Sequence, residues 1–202
     1  MSLKKYQAKR NFTKTAEPKG AAKPASRRTG RRARFVVHKH DASRLHYDLR
    51  LEMDGVLKSW AAPKGPSLNP RDKHLAVMVE DHPLEYRDFE GAIPEGEYGA
   101  GTVMIWDEGT YQVVGEHTGP EGLERGALKI ELAGKKLKGG WMLVRTKWQG
   151  QEKNWLLIKE RDEYARSSGD VLKEEPRSAR SGRTMEEIAA QEKPTPQGKR
   201  AG

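Results

Sequence analysis

The chain contains no cysteine, which excludes a disulfide framework and thiolate metal sites. It also lacks an apolar run near the roughly 20 residues of a membrane span, and its N-terminus lacks the apolar core of a signal peptide. Aromatic residues are only 7% of the chain, and none follows Ala165. These absences predict a soluble intracellular protein whose C-terminal segment adds little to a core.

Acidic residues are scarce at the N-terminus. The chain carries 38 Lys and Arg against 29 Asp and Glu, a net charge of +9, and residues 1–34 hold twelve basic residues but only Glu17 on the acidic side. A basic arm of this kind commonly binds nucleic-acid phosphates, because binding releases condensed counterions. The alternative is a disordered tail that keeps the protein in solution.

The chain divides into three predicted segments. Residues 1–33 are a basic arm and linker, in which Tyr6 and Phe12 suggest that the first part docks and 21–33 connects. Residues 34–165 carry short strands with frequent turn signals, which is typical of an antiparallel barrel or sandwich, with Trp141 and Trp155 in its core. Residues 166–202 are expected to be a flexible tail or interdomain linker.

The most informative stretch is HKHDASRLHYDLR, residues 38–50. Alternation along a strand would place His46 and Asp48 on one face, because successive side chains point to opposite sides. A short turn at 41–43 would fold His40 back toward them. Two imidazoles and a carboxylate then form a candidate metal site with open positions. The alternative is a solvated strand face.

A hairpin follows, because Asp54-Gly55 is a strong two-residue turn signal. This turn predicts three cross-strand pairs: Leu49 with Trp60, Arg50 with Ser59, and Asp48 with Ala61. The small partners would leave space above the polar face for a ligand.

The next predicted strand is HLAVMVEDH, residues 74–82. Strict alternation would put Leu75, Val77 and Val79 on an apolar face. The other face, which suggests a shared cleft, would carry His74, Ala76, Met78, Glu80 and His82. The connection that follows, EGAIPEGEYGAG, is rich in glycine. Its spacing fits no common phosphate-binding loop, so we expect turns there.

From these motifs the chain resembles a known family. HKHDASRLHYDLRLEMDGVLKSWAAPKGPS, followed by VEDHPLEYRDFEGAIPEGEYGAGTV, is similar to the 3′-phosphoesterase domain of bacterial DNA ligase D, which acts in nonhomologous end joining. The resemblance extends from about Tyr6 to Ala165, and MEEIAAQ resembles the linker before the ligase domain of those proteins.

The resemblance implies a mainly β fold, namely a compact antiparallel β-barrel with few short helices and a polar groove, flanked by a disordered arm and a polar tail. The groove would hold one divalent metal, preferably Mn²⁺, with Co²⁺ or Zn²⁺ as alternatives. The implied metal ligands are His40, His46 and Asp48; the implied catalytic residues are Arg50, His82 and Tyr86; the implied substrate contacts are Lys64, His74, Glu80, Arg10 and Glu17. His74 stands where the family often has arginine, and Asn11 stands where it has aspartate.

The implied activity is the repair of DNA 3′ ends. Such an enzyme removes a 3′-terminal ribonucleoside and then the 3′-phosphate, and we expect His82 to titrate near neutrality in that role. The implied partners are DNA or RNA-tailed primer-template ends, Ku, and ligase or polymerase domains. The protein would act as a monomer, associated with the nucleoid in a bacterial or archaeal cytoplasm. Two other functions stay open: a non-haem iron oxygenase, which also uses two histidines and a carboxylate, and a non-catalytic nucleic-acid-binding barrel.

Overall fold

The structure is a computed structural model that describes residues 3–20, 33–146 and 150–191. The described strands are β1 (Ala33–Asp41), β2 (Leu45–Met53), β3 (Val56–Ala62), β4 (His74–Met78), β5 (Gly91–Ile93), β6 (Gly101–Val113), β7 (Ala127–Gly134), β8 (Lys138–Arg145) and β9 (Asn154–Lys159). The described helices are α1 (Lys4–Ala8), a 3₁₀ helix (Leu84–Asp88), α2 (Gly119–Arg125), α3 (Val171–Glu174) and α4 (Met185–Gln191).

The strands form an antiparallel barrel. Neighbours run in the order β1, β2, β3, β4, β9, β8, β7, β6, and β1 pairs with β6 to close the ring. The short β5 pairs with the start of β6 outside the ring. The predicted antiparallel barrel is therefore confirmed.

The barrel interior is filled by side chains from alternate strand positions. Four tryptophans are at most 1% exposed there, namely Trp60, Trp106, Trp141 and Trp155. The expectation that Trp141 and Trp155 belong to the core is confirmed. Because these positions face inward, the residues between them face the outer surface of the barrel.

The β2–β3 hairpin has the predicted register. Asp54 and Gly55 form a two-residue turn, with φ of 51° and 81°, which matches the right-handed twist of the strands. The three predicted pairs are all present: Asp48 with Ala61, Leu49 with Trp60, and Arg50 with Ser59. His46, Asp48 and Arg50 therefore share the outer face of β2.

The N-terminal arm packs onto this outer face. Tyr6 is fully buried and clusters with Leu57 and Tyr86, and its hydroxyl donates to the carbonyl of Pro18 at 2.7 Å. Docking of the first part of the arm is thus confirmed, and the expected disorder is wrong for residues 3–20, because an aromatic side chain there is buried. The predicted linker, apart from Ala33 in β1, lies outside the described residues.

The C-terminal segment also packs onto the barrel. Val171, Met185 and Ile188 are each at most 9% exposed and belong to the main core. The expectation of a flexible tail is therefore wrong for residues 166–191, since these apolar side chains gain by burial. The domain boundaries themselves stay a prediction. Among the described residues, no helix has the length and apolar character needed to cross a bilayer.

The predicted strand over 74–82 ends early, and its face assignment is wrong. Met78 pairs with Trp60, and His82 forms a bridge with Leu57, so four steps along this segment oppose three along β3. The extra residue is a β-bulge, which reverses the alternation beyond it. Ala76 and Met78, which precede the bulge, pack toward the interior, whereas His82, which follows it, reaches the outer face.

Candidate active site

A polar cleft lies on the outer face of β1, β2 and β3. Its empty space is about 730 Å³, including part that is open to solvent, which is in the range of ligand-binding clefts. One wall carries His40, His46 and Asp48, and the other carries Glu80 and His82. The pairing of His40 with His46 across β1 and β2 brings the first wall together, as the turn at 41–43 predicted.

The three candidate metal ligands converge. One ligand atom from each of His40, His46 and Asp48 lies within 4.8 Å of the others. Asp48 Oδ2 is 4.0 Å from His40 Nδ1 and 3.7 Å from His46 Nε2. Both distances exceed a normal hydrogen bond, so the three atoms surround a shared space.

Backbone carbonyls select the imidazole tautomers. The other ring nitrogen of each histidine donates a hydrogen bond: His40 Nε2 to Gly99 O at 2.8 Å, and His46 Nδ1 to Arg44 O at 2.9 Å. The nitrogens that face Asp48 therefore carry lone pairs in the neutral rings. Orientation of this kind is the usual support of metal-binding histidines. The donor set thus fits a divalent transition metal with open positions.

The pKa shifts of His40 and Asp48, though not that of His46, favour the protonation states that bind a metal. Burial lowers the pKa of His40 and favours its neutral ring. Burial also acts to lower the pKa of His46, but Asp48 and the Arg44 carbonyl outweigh it and raise the pKa. Burial would raise the pKa of Asp48, yet Arg50 and the two histidines hold it well below its usual range, so the carboxylate is ionised.

Arg50 lies directly beside the ligands and is fixed by three hydrogen bonds. Its Nε donates to His38 Nδ1 at 3.2 Å, one Nη to Ser59 Oγ at 2.9 Å, and the other to Asp48 Oδ2 at 2.9 Å. The guanidinium carbon also lies 4.8 Å from the centre of the Tyr86 ring. These bonds use three of its five N–H groups, and the other two have no hydrogen-bond partner among the described residues, so they can bind an anion.

His82 is neutral in this structure, contrary to the expected titration near neutrality. Burial, followed by the nearby charges of Arg50 and Arg10, holds its pKa well below the ordinary value. Its Nδ1 donates to the carbonyl of Glu80 at 2.9 Å, so the lone pair is on Nε2, 3.4 Å from an Nη of Arg10. His82 can therefore accept a proton at the cleft, but it does not carry one beforehand.

Tyr86 lines the cleft between Arg50 and His82. It is 2% exposed, and its ring makes edge contacts with His38 and His82. Burial raises the pKa of Tyr86 well above its ordinary value, so the phenol keeps its proton. Tyr86 can donate a hydrogen bond to an anion, but it does not act as a base.

The arm supplies further charged groups to the cleft. Arg10 Nε donates to Glu17 Oε1 at 2.8 Å, and an Nη lies 3.5 Å from Glu80 Oε1. Lys9 Nζ donates to Glu80 Oε2 and to the Tyr98 hydroxyl, both at 3.1 Å. The structure therefore brings Arg10, Glu17 and Glu80 together with the barrel residues, although the arm is distant from them in sequence.

Two predicted substrate contacts are not part of this arrangement. Lys64 is exposed in the turn after β3, and His74 donates from Nδ1 to the carbonyl of Gly65 at 2.7 Å. Neither lines the described cleft. Asn11 is also outside the lining, and its side-chain oxygen accepts from the amide and hydroxyl of Thr13. The role of Lys64 and His74 toward substrate stays a prediction.

Sequence reasoning missed two residues. His38 is fully buried and accepts from Arg50; the same alternation that pairs His46 with Asp48 also puts His38 on the face of His40. Tyr98 lies in the glycine-rich connection, which forms the expected turns but also lines the cleft. A single aromatic residue among glycines was the available signal.

Comparison with known proteins agrees with this geometry. The family described as "DNA Ligase D 3'-phosphoesterase domain" matches residues 38–145. The chain is 54% identical over 185 residues to the multifunctional non-homologous end joining protein LigD of Pseudomonas aeruginosa, covering 91% of this chain and 22% of that protein.

Mycobacterial relatives match as well. The multifunctional non-homologous end joining DNA repair protein LigD of Mycobacterium tuberculosis is 49% identical over 144 residues, which is 71% of this chain and 18% of that protein. The LigD of Mycolicibacterium smegmatis is 43% identical over 166 residues, 80% of this chain and 21% of that protein. The chain spans about a fifth of the length of these relatives. It belongs to the DNA ligase D 3′-phosphoesterase domain family.

Proposed function

We propose that this chain is a metal-dependent phosphoesterase that heals DNA 3′ ends. It would remove a 3′-terminal ribonucleoside and then the 3′-phosphate, leaving a 3′-hydroxyl for ligation in nonhomologous end joining. The observation that carries the proposal is the contact between Arg50 and Asp48, because it puts an anion-binding guanidinium directly beside a candidate metal site. A phosphate could then bind the metal and the guanidinium together through different oxygens.

His40, His46 and Asp48 would hold the metal, for which we propose Mn²⁺, with Co²⁺ or Zn²⁺ as alternatives. When bound, the metal would act as a Lewis acid on a phosphoryl oxygen. Two neutral imidazoles and one carboxylate leave it a net positive charge. Arg50 would bind the same phosphate through its two remaining N–H groups and stabilise negative charge in the transition state.

His82 and Tyr86 complete the proposed machinery. A bound phosphate raises the pKa of a nearby imidazole, so His82 would take up a proton on Nε2 when substrate is present. It would then hold the phosphate or give that proton to the leaving oxygen. Tyr86, which stays protonated, would donate a hydrogen bond to the phosphate.

The arm residues Arg10 and Glu17, together with Glu80, would act through His82. Arg10 contacts the His82 ring, and Glu17 fixes Arg10 by an ion pair of which both side chains are at most 5% exposed. The proposed partners are DNA or RNA-tailed primer-template ends, with Ku and ligase or polymerase domains of the same pathway. We propose that the protein acts in the cytoplasm as a monomer.

The test is direct. Purified protein is incubated with Mn²⁺ and duplex primers that end in a ribonucleotide or a 3′-phosphate, and the products are sized. We expect conversion of both to a 3′-hydroxyl end, and its loss with chelator. Binding without turnover would favour the non-catalytic barrel, and oxygen consumption without hydrolysis would favour the oxygenase.

A further inference from the structure

The cleft presents one exposed aromatic ring among its described lining residues. Tyr98 is 49% exposed, whereas Tyr86, the other lining tyrosine, is 2% exposed. An exposed aromatic ring is not unusual in itself, but one that lines a cleft is available for contact with a ligand. The proposed phosphate chemistry gives Tyr98 no role.

The position of Tyr98 is fixed relative to the metal ligands. The next residue, Gly99, accepts the hydrogen bond from His40 Nε2, and its φ of 77° is a conformation that favours glycine. The amide of Ala100 donates to the carbonyl of Glu97 at 3.1 Å and closes the turn. The ring is thus held one residue from the group that orients a metal-binding histidine.

The arm closes the cleft on the side of Tyr98. Lys9 Nζ bonds to the Tyr98 hydroxyl and to Glu80 Oε2, and these two residues lie on different segments that line the cleft. This bridge closes the cleft beside Tyr98, so a nucleotide bound there would be the last of its strand. The primer, which must continue into a duplex, would leave the cleft in a direction away from the bridge.

We propose that Tyr98 stacks on the base of the 3′-terminal nucleoside that leaves in the first reaction. The proposal rests on the proposed function, in which water forms a new P–O bond while the bond from phosphorus to the 5′ oxygen of the terminal nucleoside breaks. The leaving oxygen takes a proton and departs as a 5′-hydroxyl, and the phosphate stays on the primer. A 3′-phosphate substrate has no such nucleoside and makes no use of Tyr98.

Base stacking on an aromatic side chain gives about 5-fold to 100-fold in affinity and accepts every base, because each base has a π face. Tyr98 would therefore form a nucleoside subsite at the closed end of the cleft, and this subsite would have no sequence preference. Lys9 Nζ bonds to the Tyr98 hydroxyl and lies 4.5 Å from the centre of the ring, and the guanidinium carbon of Arg10 lies 5.4 Å from that centre. These cations would hold the ring in place, and the base would stack on the part of the ring that they leave open.

The test compares Tyr98→Ala, Tyr98→Leu and Tyr98→Phe on two Mn²⁺-supported reactions, with Tyr164→Ala as a control. Tyr164 is 43% exposed but does not line the described cleft. We expect Tyr98→Ala and Tyr98→Leu to lower kcat/KM about 5-fold to 100-fold on a ribonucleotide-ended primer, mainly through KM, and to change 3′-phosphate removal less than about twofold. Tyr98→Phe should keep most of the first activity.

A primer that ends in an abasic ribose gives the second comparison. Wild-type protein should process it as poorly as Tyr98→Ala processes the normal primer, and Tyr98→Ala should lose nothing more. Equal losses on the two normal substrates, or a further loss on the abasic primer, would overturn the assignment of Tyr98. If the wild-type protein converts neither normal substrate, the proposed function fails, and the nucleoside subsite fails with it.

Discussion

Arg50 donates from its Nε to Nδ1 of His38, at 3.2 Å, and both side chains are at most 3% exposed. His38 lies on β1 and Arg50 on β2, so the bond joins the strand of one candidate metal ligand to the strand of the other two. Together with the hydrogen bonds to Ser59 and Asp48, this bond fixes the orientation of the guanidinium.

We expect His38→Leu to lower kcat at least about tenfold on both substrates, because it leaves a buried Arg50 N–H without an acceptor. His38→Gln should restore most of the rate, since the amide oxygen can accept that hydrogen bond. The measurement is steady-state kinetics with calorimetric Mn²⁺ binding, which neither change should alter by much. If the glutamine variant is as slow as the leucine variant while both stay folded, His38 does not position Arg50.

His40→Ala, His46→Ala and Asp48→Ala should each weaken Mn²⁺ binding at least about 100-fold, because even a residue that only supports a ligand costs 10-fold to 100-fold. Isothermal titration calorimetry measures this without requiring activity. The matched control is His74→Ala, since His74 lies on a nearby strand but outside the group of ligands. If one of the three variants binds Mn²⁺ as tightly as His74→Ala does, the residue that it replaces is not a metal ligand.

The buried neutral ring of His82 should make stability depend on pH. Its folded pKa lies below the unfolded value near 6.5, so the unfolded chain takes up the proton first as the pH falls. The stabilisation is complete above about pH 6.5 and is lost below it, at up to about 1.4 kcal/mol per pH unit.

Chelator-treated protein melted between about pH 7 and about pH 5 tests this. We expect His82→Asn to reduce the fall in Tm across that window. His117→Asn, at an exposed histidine, is the control and should leave it unchanged. An equal slope in His82→Asn and wild type would show that His82 is not the group that titrates.

Docking of the arm should depend on Tyr6. Tyr6→Ala removes a fully buried ring and its hydrogen bond to Pro18, a change that costs about 3 to 5 kcal/mol for large aromatic side chains. Because Tyr6 packs in the small second cluster, we expect the arm to undock while the barrel stays folded. Trypsin should then cleave at Lys9 and Arg10 much faster than in the exposed-site control Gln7→Ala. Unchanged cleavage would contradict this.

The sequence predicts the β2–β3 half of the site well, for a physical reason. Alternation and the Asp54-Gly55 turn are local, and together they determine which residues face each other and which face outward. His46, Asp48 and Arg50 follow from those two signals, and the turn at 41–43 adds His40 from β1.

The other half depends on interactions between distant segments. No local pattern shows the extra residue that turns His82 to the outer face, since a bulge is set by the partner strand. The contacts of Lys9 and Arg10 with Glu80 likewise join segments about 70 positions apart, as the separations of 71 and 70 residues show. The resemblance to a family indicates that Arg10 and Glu17 are site residues, but it does not indicate which side chains they contact.

The bulge between β4 and the 3₁₀ helix makes this part of the chain sensitive to length more than to composition. Asp81 lies in it and pairs with Lys58 at 2.8 Å on the barrel surface. Replacing Asp81 by Asn would cost one partly exposed ion pair. Deleting it would restore continuous alternation beyond Met78, which keeps His82 opposite Leu57 on the outer face but turns Glu80 away from the cleft and from its contacts with Lys9 and Arg10. Insertions and deletions in this segment should therefore disturb the cleft far more than substitutions do.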